Sequence, residues 1–422
     1  MGGMKALHLF EGYGLELEYM IVDRQTLSVL PAADRLLAAQ AGETVDEVAV
    51  GPLCWSNELA LHVIELKTNG PVPTLAGLAP LFTEQIGVIN RLLEPLGGML
   101  MPSAMHPWMD PSRETRLWPH DHGEIYRTYN RIFDCRGHGW ANLQSVHLNL
   151  PFADDLEFAR LHAAIRLVLP ILPALAASSP VMEGKVTGLL DNRLEVYRVN
   201  QKRIPAASGR IIPEPAYSRQ AYQARILDPL YAQIAPFDPE GVLQYEWLNS
   251  RGAIARFDRG TIEIRLLDVQ ESPRADLAIA AFIAATIKVL VEERWSSLAE
   301  QQRWEEEELL PILLGTIRAG EETVIENSRF LRGFGFTGQR CTAGDLLRHL
   351  TDHFRMGTPS AGALEEEAAL EIILERGPLA RRLMRALGEN PSPERYRSVY
   401  RRLCSCLARG EMFLEGSIHR QL

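Results

Sequence analysis

The chain is poor in cysteine, with five in 422 residues, an odd number and no Cys-x-x-Cys spacing. That argues against a disulfide framework or a thiolate zinc ribbon and leaves reduced thiols as the simplest account. Cys404 and Cys406 stand two apart in an expected helix and point to different faces, which favours neither a disulfide nor a zinc site. Long apolar runs are missing too. Residues 160–177 are broken by His162, Arg166, Pro170 and Pro173, and only Leu277 to Ile287 separate Asp276 from Lys288, too short a stretch to span a bilayer. The opening residues MGGMKALHLF carry no apolar segment with a cleavage site, so no signal peptide and a cytoplasmic location are expected. Positive charge is the minority, 44 Lys and Arg against 54 Asp and Glu for a formal net of −10. A general nucleic-acid binder needs a basic stripe to displace counterions from phosphate, so that class is disfavoured. There is no internal repeat and no low-complexity tract. What is present, 46% hydrophobic and 23% charged residues, is the make-up of a soluble protein long enough for one large domain or two smaller ones.

Four segments alternate in the manner of half-buried strands, at 13–22, 61–68, 144–150 and 260–268. A helix is expected from about Leu75 to Leu96, and another after Asp154 as N-cap with Glu157 in its first turn, kinked or ended by Pro170 and Pro173. The stretch RIPAASGRIIPEPAY at 203–217 reads as a long loop of the kind that closes a site. Ser272 can cap a helix that has Pro273 at its first position. Beyond about residue 300 the chain reads as mainly helical, with starts at Thr342/Asp345 and Ser392/Pro393. Strands first and helices later point to an α+β arrangement.

The alternating segments share a chemical division. Glu16 and Glu18 lie on one face of GLELEY, and Leu15, Leu17 and Tyr19 on the other. Glu65 and Lys67 oppose Ile64 and Leu66; Ser145, His147 and Asn149 oppose Val146, Leu148 and Leu150; Thr261, Glu263 and Arg265 oppose Ile262, Ile264 and Leu266. An antiparallel sheet with one wet face would produce alternation in any single strand. Magnitudes begin to separate the readings: carboxylates about 7 Å apart repel by roughly 0.6 kcal/mol in water but by about 2.4 kcal/mol at an effective dielectric of 20. An enclosed pair therefore needs a cation. Hard oxygen donors with an occasional imidazole suit Mg²⁺ or Mn²⁺, whose octahedral shells accept carboxylates and substrate phosphates together.

The blocks GLELEYMIVD, NELALHVIELKT, HPW (106–108), SVHLNL, LPALAASSPVMEGKVTGLLDNR and ARFDRGTIEIRLLD, followed by ENSRFLRGFGF (326–336), resemble in order and spacing the glutamate–cysteine ligase type 2 family, the YbdK-like carboxylate–amine ligases. The resemblance covers roughly residues 10–336. It implies a curved, mainly antiparallel sheet of the glutamine synthetase/guanido kinase-like type with flanking helices, a catalytic domain over 1–300 and a helical C-terminal extension over 301–422 packed on it. It also implies ATP and Mg²⁺ (or Mn²⁺) as cofactors. Matched position by position, it places Glu16, Glu18, Glu58, Glu65, His147 and Glu263 on the metals. Arg256, Arg265 and Thr261 fall toward the ATP phosphates, with Arg256, Arg265 and Glu263 as the catalytic set, and Thr187 and Arg193 are candidate substrate contacts. One departure stands out. Where the family usually has Gly-x-His-Val-His, this chain has QSVHLNL, so a Ser replaces one histidine.

The implied reaction phosphorylates a carboxylate, in the first instance the γ-carboxylate of glutamate, to an acyl phosphate that an amine such as cysteine then attacks. Two other functions compete: an ATP-independent metal-dependent amidohydrolase or peptidase, and a catalytically silent regulatory paralogue. Small-molecule substrates, no nucleic acid and no membrane are the expected partners, with a homo-oligomer through the sheet edge or C-terminal helices conceivable. The histidine-rich WPHDHGEIYR fits no zinc spacing and reads as a polar loop. Cys135 beside His138 reads as a buried thiol, and the run Glu305 to Glu308 as a solvated helix face.

Overall fold

Alternation in GLELEYMIVD becomes strand β1, Gly14–Asp23, the centre of an eight-stranded sheet. The structure is a computed structural model and describes residues 6–121, 123–355 and 363–416. The other strands of the sheet are β2 (Glu47–Val50), β3 (Leu53–Asn57), β4 (Val63–Thr68), β5 (Gly98–Met101), β6 (Ser145–Pro151), β9 (Ala253–Arg256) and β10 (Thr261–Asp268). Two-residue strands β7 (Val181–Met182) and β8 (Lys185–Val186) form a hairpin of their own. The order is β2-β3-β4-β1-β6-β10-β9, with β5 on the C-terminal half of β1, and all pairings are antiparallel. The four expected strands are all present. Strands β2, β3, β5 and β9 were not anticipated; each has four or five residues, too few to show a clear period.

The odd-numbered face of β1 is what the sheet packs on. Leu15, Leu17, Tyr19 and Ile21 are completely buried, together with Ile64, Leu66, Leu148, Leu150, Ile262 and Ile264 from the neighbouring strands. Against this face lie the helices Leu78–Leu93, Asp155–Val168 and Pro273–Val291, through side chains such as Phe82, Ile86, Phe158, Leu161, Leu277 and Ile283. Each buried aliphatic or aromatic side chain contributes about 1.5–3 kcal/mol. The apolar face of β1 therefore outweighs the few kcal/mol of repulsion between its two glutamates, and the strand forms whether or not that charge is neutralised.

Capping is largely local. Asp154 accepts from Leu156 N and Glu157 N, both at 2.9 Å. Thr342 and Asp345 bond reciprocally at the start of the helix Ala343–Arg355, and Ser392 accepts from Arg395 N at 3.3 Å. Ser272 precedes the helix at Pro273 as expected, but its hydroxyl makes no cap bond. The helix ends at Val168, as Pro170 and Pro173 led one to expect; a 3-10 turn holding Pro170 and a separate short helix opening at Pro173 follow. Residues 203–217 are irregular apart from one 3-10 turn, Pro205–Ala207. All five cysteines are free. Among the described residues no helix is long and apolar enough to cross a membrane.

The even-numbered face of β1 is divided. Its first half carries Glu16 and Glu18. Its second half carries Met20 and Val22, which are buried under the C-terminal helices Leu379–Leu387 and Pro393–Arg409 with Leu383, Tyr400, Leu403 and Cys404. An ion pair with both partners fully buried, Arg382 on Glu271, ties the first of these helices to the segment after β10, and Phe413 N donates to the same carboxylate at 3.1 Å. A separate apolar cluster, with Tyr129, Ile132, Ile204, Leu230 and Leu248, gathers the helix Gly123–Phe133 and the 203–217 segment.

Candidate active site

Register decides which acids meet. Glu18 pairs with Glu65, and Glu65 with Ser56; Glu16 pairs with Lys67 on one side and His147 on the other. Paired residues in an antiparallel ladder project to the same face, so β3, β4, β1 and β6 bring two triads together. Glu16, Glu65 and His147 can each offer a donor atom within 4.8 Å of the others, and so can Glu18, Glu58 and Glu65. Glu58 comes from the turn after β3, not from a strand, with its carboxylate accepting from Leu59 N at 3.3 Å.

His147 is the hub. Its Nδ1 donates to Glu16 Oε2 at 2.9 Å and lies 3.6 Å from Glu263 Oε1; its Nε2 lies 3.7 Å from Glu18 Oε1. The Ser145 hydroxyl, in the position where a second histidine was missing, sits 2.9 Å from that Nε2, while Ser145 N donates to Glu18 Oε2 at 2.8 Å. Burial by itself would lower the imidazole's pKa, but the Glu16 hydrogen bond and the charges of Glu263, Glu16 and Glu18 raise it to about 9. On Glu16, burial opposes ionisation, yet the bond and charge of His147, with Lys67 behind it, bring the pKa down to about 2. Glu65 moves the other way. Burial, then the charges of Glu16 and Glu18, push it up to about 7 against the pull of Lys67 and Ser56. Burial with Glu18 and Glu65 pushes Glu58 well above the usual carboxylate range. The imidazolium and Lys67 thus offset part of the negative charge, and the Glu58–Glu65 side is left short of a cation. Two carboxylates with an imidazole in one triad, and three carboxylates in the other, fit a hard divalent ion.

The arginines enter from β9 and β10. Thr261 pairs with Arg256 across the hairpin, whose turn residue Gly260 has φ of 63°, the left-handed region that favours glycine. Arg256 Nη1 lies 3.8 Å from Glu263 Oε2, and its guanidinium also meets Asp258 at 3.2 Å. The Thr261 hydroxyl is buried without a partner. The ladder of β10 on β6 slips between Ile264 and Leu267, so Arg265 sits on a bulge and bonds Glu263 through Nε at 3.0 Å.

Thr187 is exposed in the turn after β8. Arg193 is buried beneath β10: its Nη2 donates to Arg265 O at 3.0 Å and its Nη1 to Leu266 O at 3.3 Å, with Asp268 at 3.5 Å. Its contacts hold the bulge that carries Arg265. The HPW block serves the fold: His106 Nε2 bonds Leu27 O at 2.7 Å, and Trp108 packs edge-on against His106 and Tyr400. In WPHDHGEIYR, His120 lies 3.3 Å from Asp34, and His122 is outside the described residues.

Sequence reasoning passed over three groups of this site. Ser56 Oγ donates to Glu65 at 2.7 Å, Lys67 Nζ bridges Glu65 at 3.2 Å and Glu47 at 3.0 Å, and Asn149 Nδ2 donates to Glu16 at 3.0 Å. Lys67 and Asn149 stood on the predicted polar faces and were detectable there. Ser56 lies in the unanticipated β3.

Solved structures share this architecture. The glutamate–cysteine ligase of Francisella tularensis, solved in complex with AMP, superposes with a TM-score of 0.61 at 12% identity, covering 95% of this chain and 89% of that one. A bifunctional glutathione synthetase of Pasteurella multocida superposes at 0.57 and 14% identity over 95% of this chain, which spans about half (53%) of that protein. In sequence, an uncharacterized protein of Archaeoglobus fulgidus is 33% identical over 95% of this chain and 100% of its own length. A Rubrobacter xylanophilus protein named, provisionally, glutamate–cysteine ligase 2-3 is 26% identical over 86% and 87%. The family model for glutamate–cysteine ligase family 2 (GCS2) matches residues 13–402, and the chain belongs to that family of carboxylate–amine ligases.

Proposed function

We propose that the protein is an ATP-dependent carboxylate–amine ligase that activates a carboxylate, glutamate's γ-carboxylate in the first instance, as an acyl phosphate and transfers the acyl group to an amine such as cysteine. The observation that carries this reading is the meeting, on one sheet face, of two carboxylate-rich triads with Arg256 and Arg265, joined through Glu263. Carboxylate oxygen is a poor leaving group, and its conversion to phosphate is a transfer governed by positioning and charge neutralisation.

Each group has a role in that scheme. Glu16, Glu65 and His147, with Glu18 and Glu58, would hold Mg²⁺ or Mn²⁺, and Glu263 lies against His147 at 3.6 Å. When bound, the metal supplies neutralising charge to the phosphates and the donor carboxylate. Arg256 and Arg265 suit forked contacts with phosphate oxygens, and Glu263 aims both. Arg193 steadies the Arg265 bulge from beneath. The 203–217 segment, part of the neighbouring apolar cluster through Ile204 and Ala207, would limit water at the acyl phosphate.

The test is a phosphate-release screen with ATP and Mg²⁺ across pairs of amino-acid donors and amines, run in parallel without nucleotide. Release that requires a donor and an amine supports the ligase. Amide hydrolysis in the nucleotide-free arm would favour a hydrolase, and silence with every donor, glutamate included, would reject the ligase.

A further inference from the structure

At the sheet edge where Arg256 lies, the chain makes a 3-10 turn, Glu246–Leu248, and the residues flanking Glu246 stack on each other. The Tyr245 and Trp247 rings are nearly parallel, 9° apart with centroids 5.6 Å apart. Trp247 leans in turn on Tyr129 at 5.9 Å, and Tyr129 packs on Trp140 and Phe133, so the inner ring is fixed by the apolar cluster. Tyr245 is 57% exposed, one of three large hydrophobic side chains left in water among the described residues. A single exposed aromatic is ordinary. This one differs in what lies beside it. Glu246 reaches to 4.0 Å from Arg256 Nε, Arg256 stands 3.8 Å from Glu263, and Glu263 is 3.6 Å from His147. The order outward from the acid cluster is therefore cation, carboxylate, flat π surface. Phosphates, ribose hydroxyls and base follow one another in the same order along a nucleoside triphosphate.

We propose that Tyr245 and Trp247 form the platform for the nucleotide's base, which stacks on the outer face of Tyr245 while the Glu246 carboxylate accepts from the ribose hydroxyls. This rests on the ATP-dependent reading above and adds a base site to it. Stacking is tolerant of base identity because every base presents a π face, so Mg·GTP is expected to bind within several-fold of Mg·ATP, and this pair alone does not set the choice of base.

Calorimetric titration of the full chain with Mg·ATP and with base-free Mg·tripolyphosphate separates the two ideas. Stacking on one aromatic side chain accounts for roughly five- to hundredfold in affinity. Tyr245→Ala is expected to weaken Mg·ATP by that factor, leave Mg·tripolyphosphate unchanged and keep the wild-type melting temperature, while Tyr245→Phe restores Mg·ATP binding. Wild-type binding of Mg·ATP that Tyr245→Ala leaves intact would overturn the platform and spare the ligase reading. Equal loss of both ligands in Tyr245→Ala would also overturn it, because the effect would not belong to the base. Failure of the wild type to bind either ligand would overturn both proposals.

Discussion

Among the described residues, two groups of three glutamates bring their donor atoms within 4.8 Å of one another in different surroundings: Glu305, Glu306 and Glu307, and Glu18, Glu58 and Glu65. The first group opens the helix Glu306–Ala319, where the helix N-terminus favours negative charge. Glu305 and Glu308 form a capping box, and Glu307 meets Arg210 at 3.1 Å in water. In the second group burial, and then neighbouring carboxylates, raise Glu65 to about 7 and Glu58 well above the usual range; in the first, half-buried Glu306 is raised as well, burial again leading. Proximity of carboxylates therefore says little by itself. Local dielectric and the presence of a compensating cation decide whether the cluster is a solvated face or a binding site.

The largest effect that would break this contrast is on turnover. Glu16→Gln and Glu263→Gln should each lower donor-dependent phosphate release by about 10²–10³-fold or more, the scale for removing one group that stabilises transition-state charge. The far-ultraviolet spectrum should stay native. Retained turnover in both variants would dissolve the distinction between the clusters. Next in size is a stability effect remote from either: Glu271→Gln leaves Arg382 buried and unpaired and should cost about 3–5 kcal/mol, read by denaturant titration. A loss below about 1 kcal/mol would mean that the C-terminal helices are not anchored there.

The pH dependence sharpens the comparison. His147 and Glu65 are both raised in the folded protein, to about 9 and about 7, so the native state holds their protons more tightly than the unfolded chain. Stability that is fully present below the unfolded values falls as pH rises through the folded ones. The metal-free protein should lose melting temperature from about pH 5 to 9, and saturating Mg²⁺ should flatten that decline by replacing protons with a cation. Glu16, lowered to about 2, acts in the opposite direction and withdraws its stability only as pH falls below the ordinary carboxylate range. A melting temperature that rises from pH 5 to 9 without metal would contradict the assigned shifts. The smallest effect belongs to the exposed cluster: Glu307→Gln breaks a pair half in water, 50% and 53% exposed, and should change stability by less than about 1 kcal/mol and turnover by less than about twofold.

Legibility followed periodicity. In β1, β4, β6 and β10 the period of two carried both the buried face and the polar one, so Glu16, Glu65, His147 and Glu263 could be put on a common face before any contact was known. Where the strand was too short, as in β3, Ser56 stayed invisible. Glu58 lies in a turn, where no period places a side chain, and was reached only through resemblance to the family. Register was out of reach throughout. That Lys67 sits opposite Glu16 and bridges Glu65 to Glu47 follows from a pairing between segments some fifty residues apart. The bulge after Ile264 and its support by Arg193 arise in the same way, from two distant pieces of chain meeting.

By itself, the sequence of this protein determined which faces its central strands present and which acids, imidazole and guanidinium groups lie on them, because alternation is a property of a single extended backbone. Only the tertiary structure decided which of those groups are neighbours, which carboxylates are short of positive charge and what covers the rest of the face. Those are matters of distance and dielectric, set by strand register, the bulge in β10 and the C-terminal helices packed over Met20 and Val22.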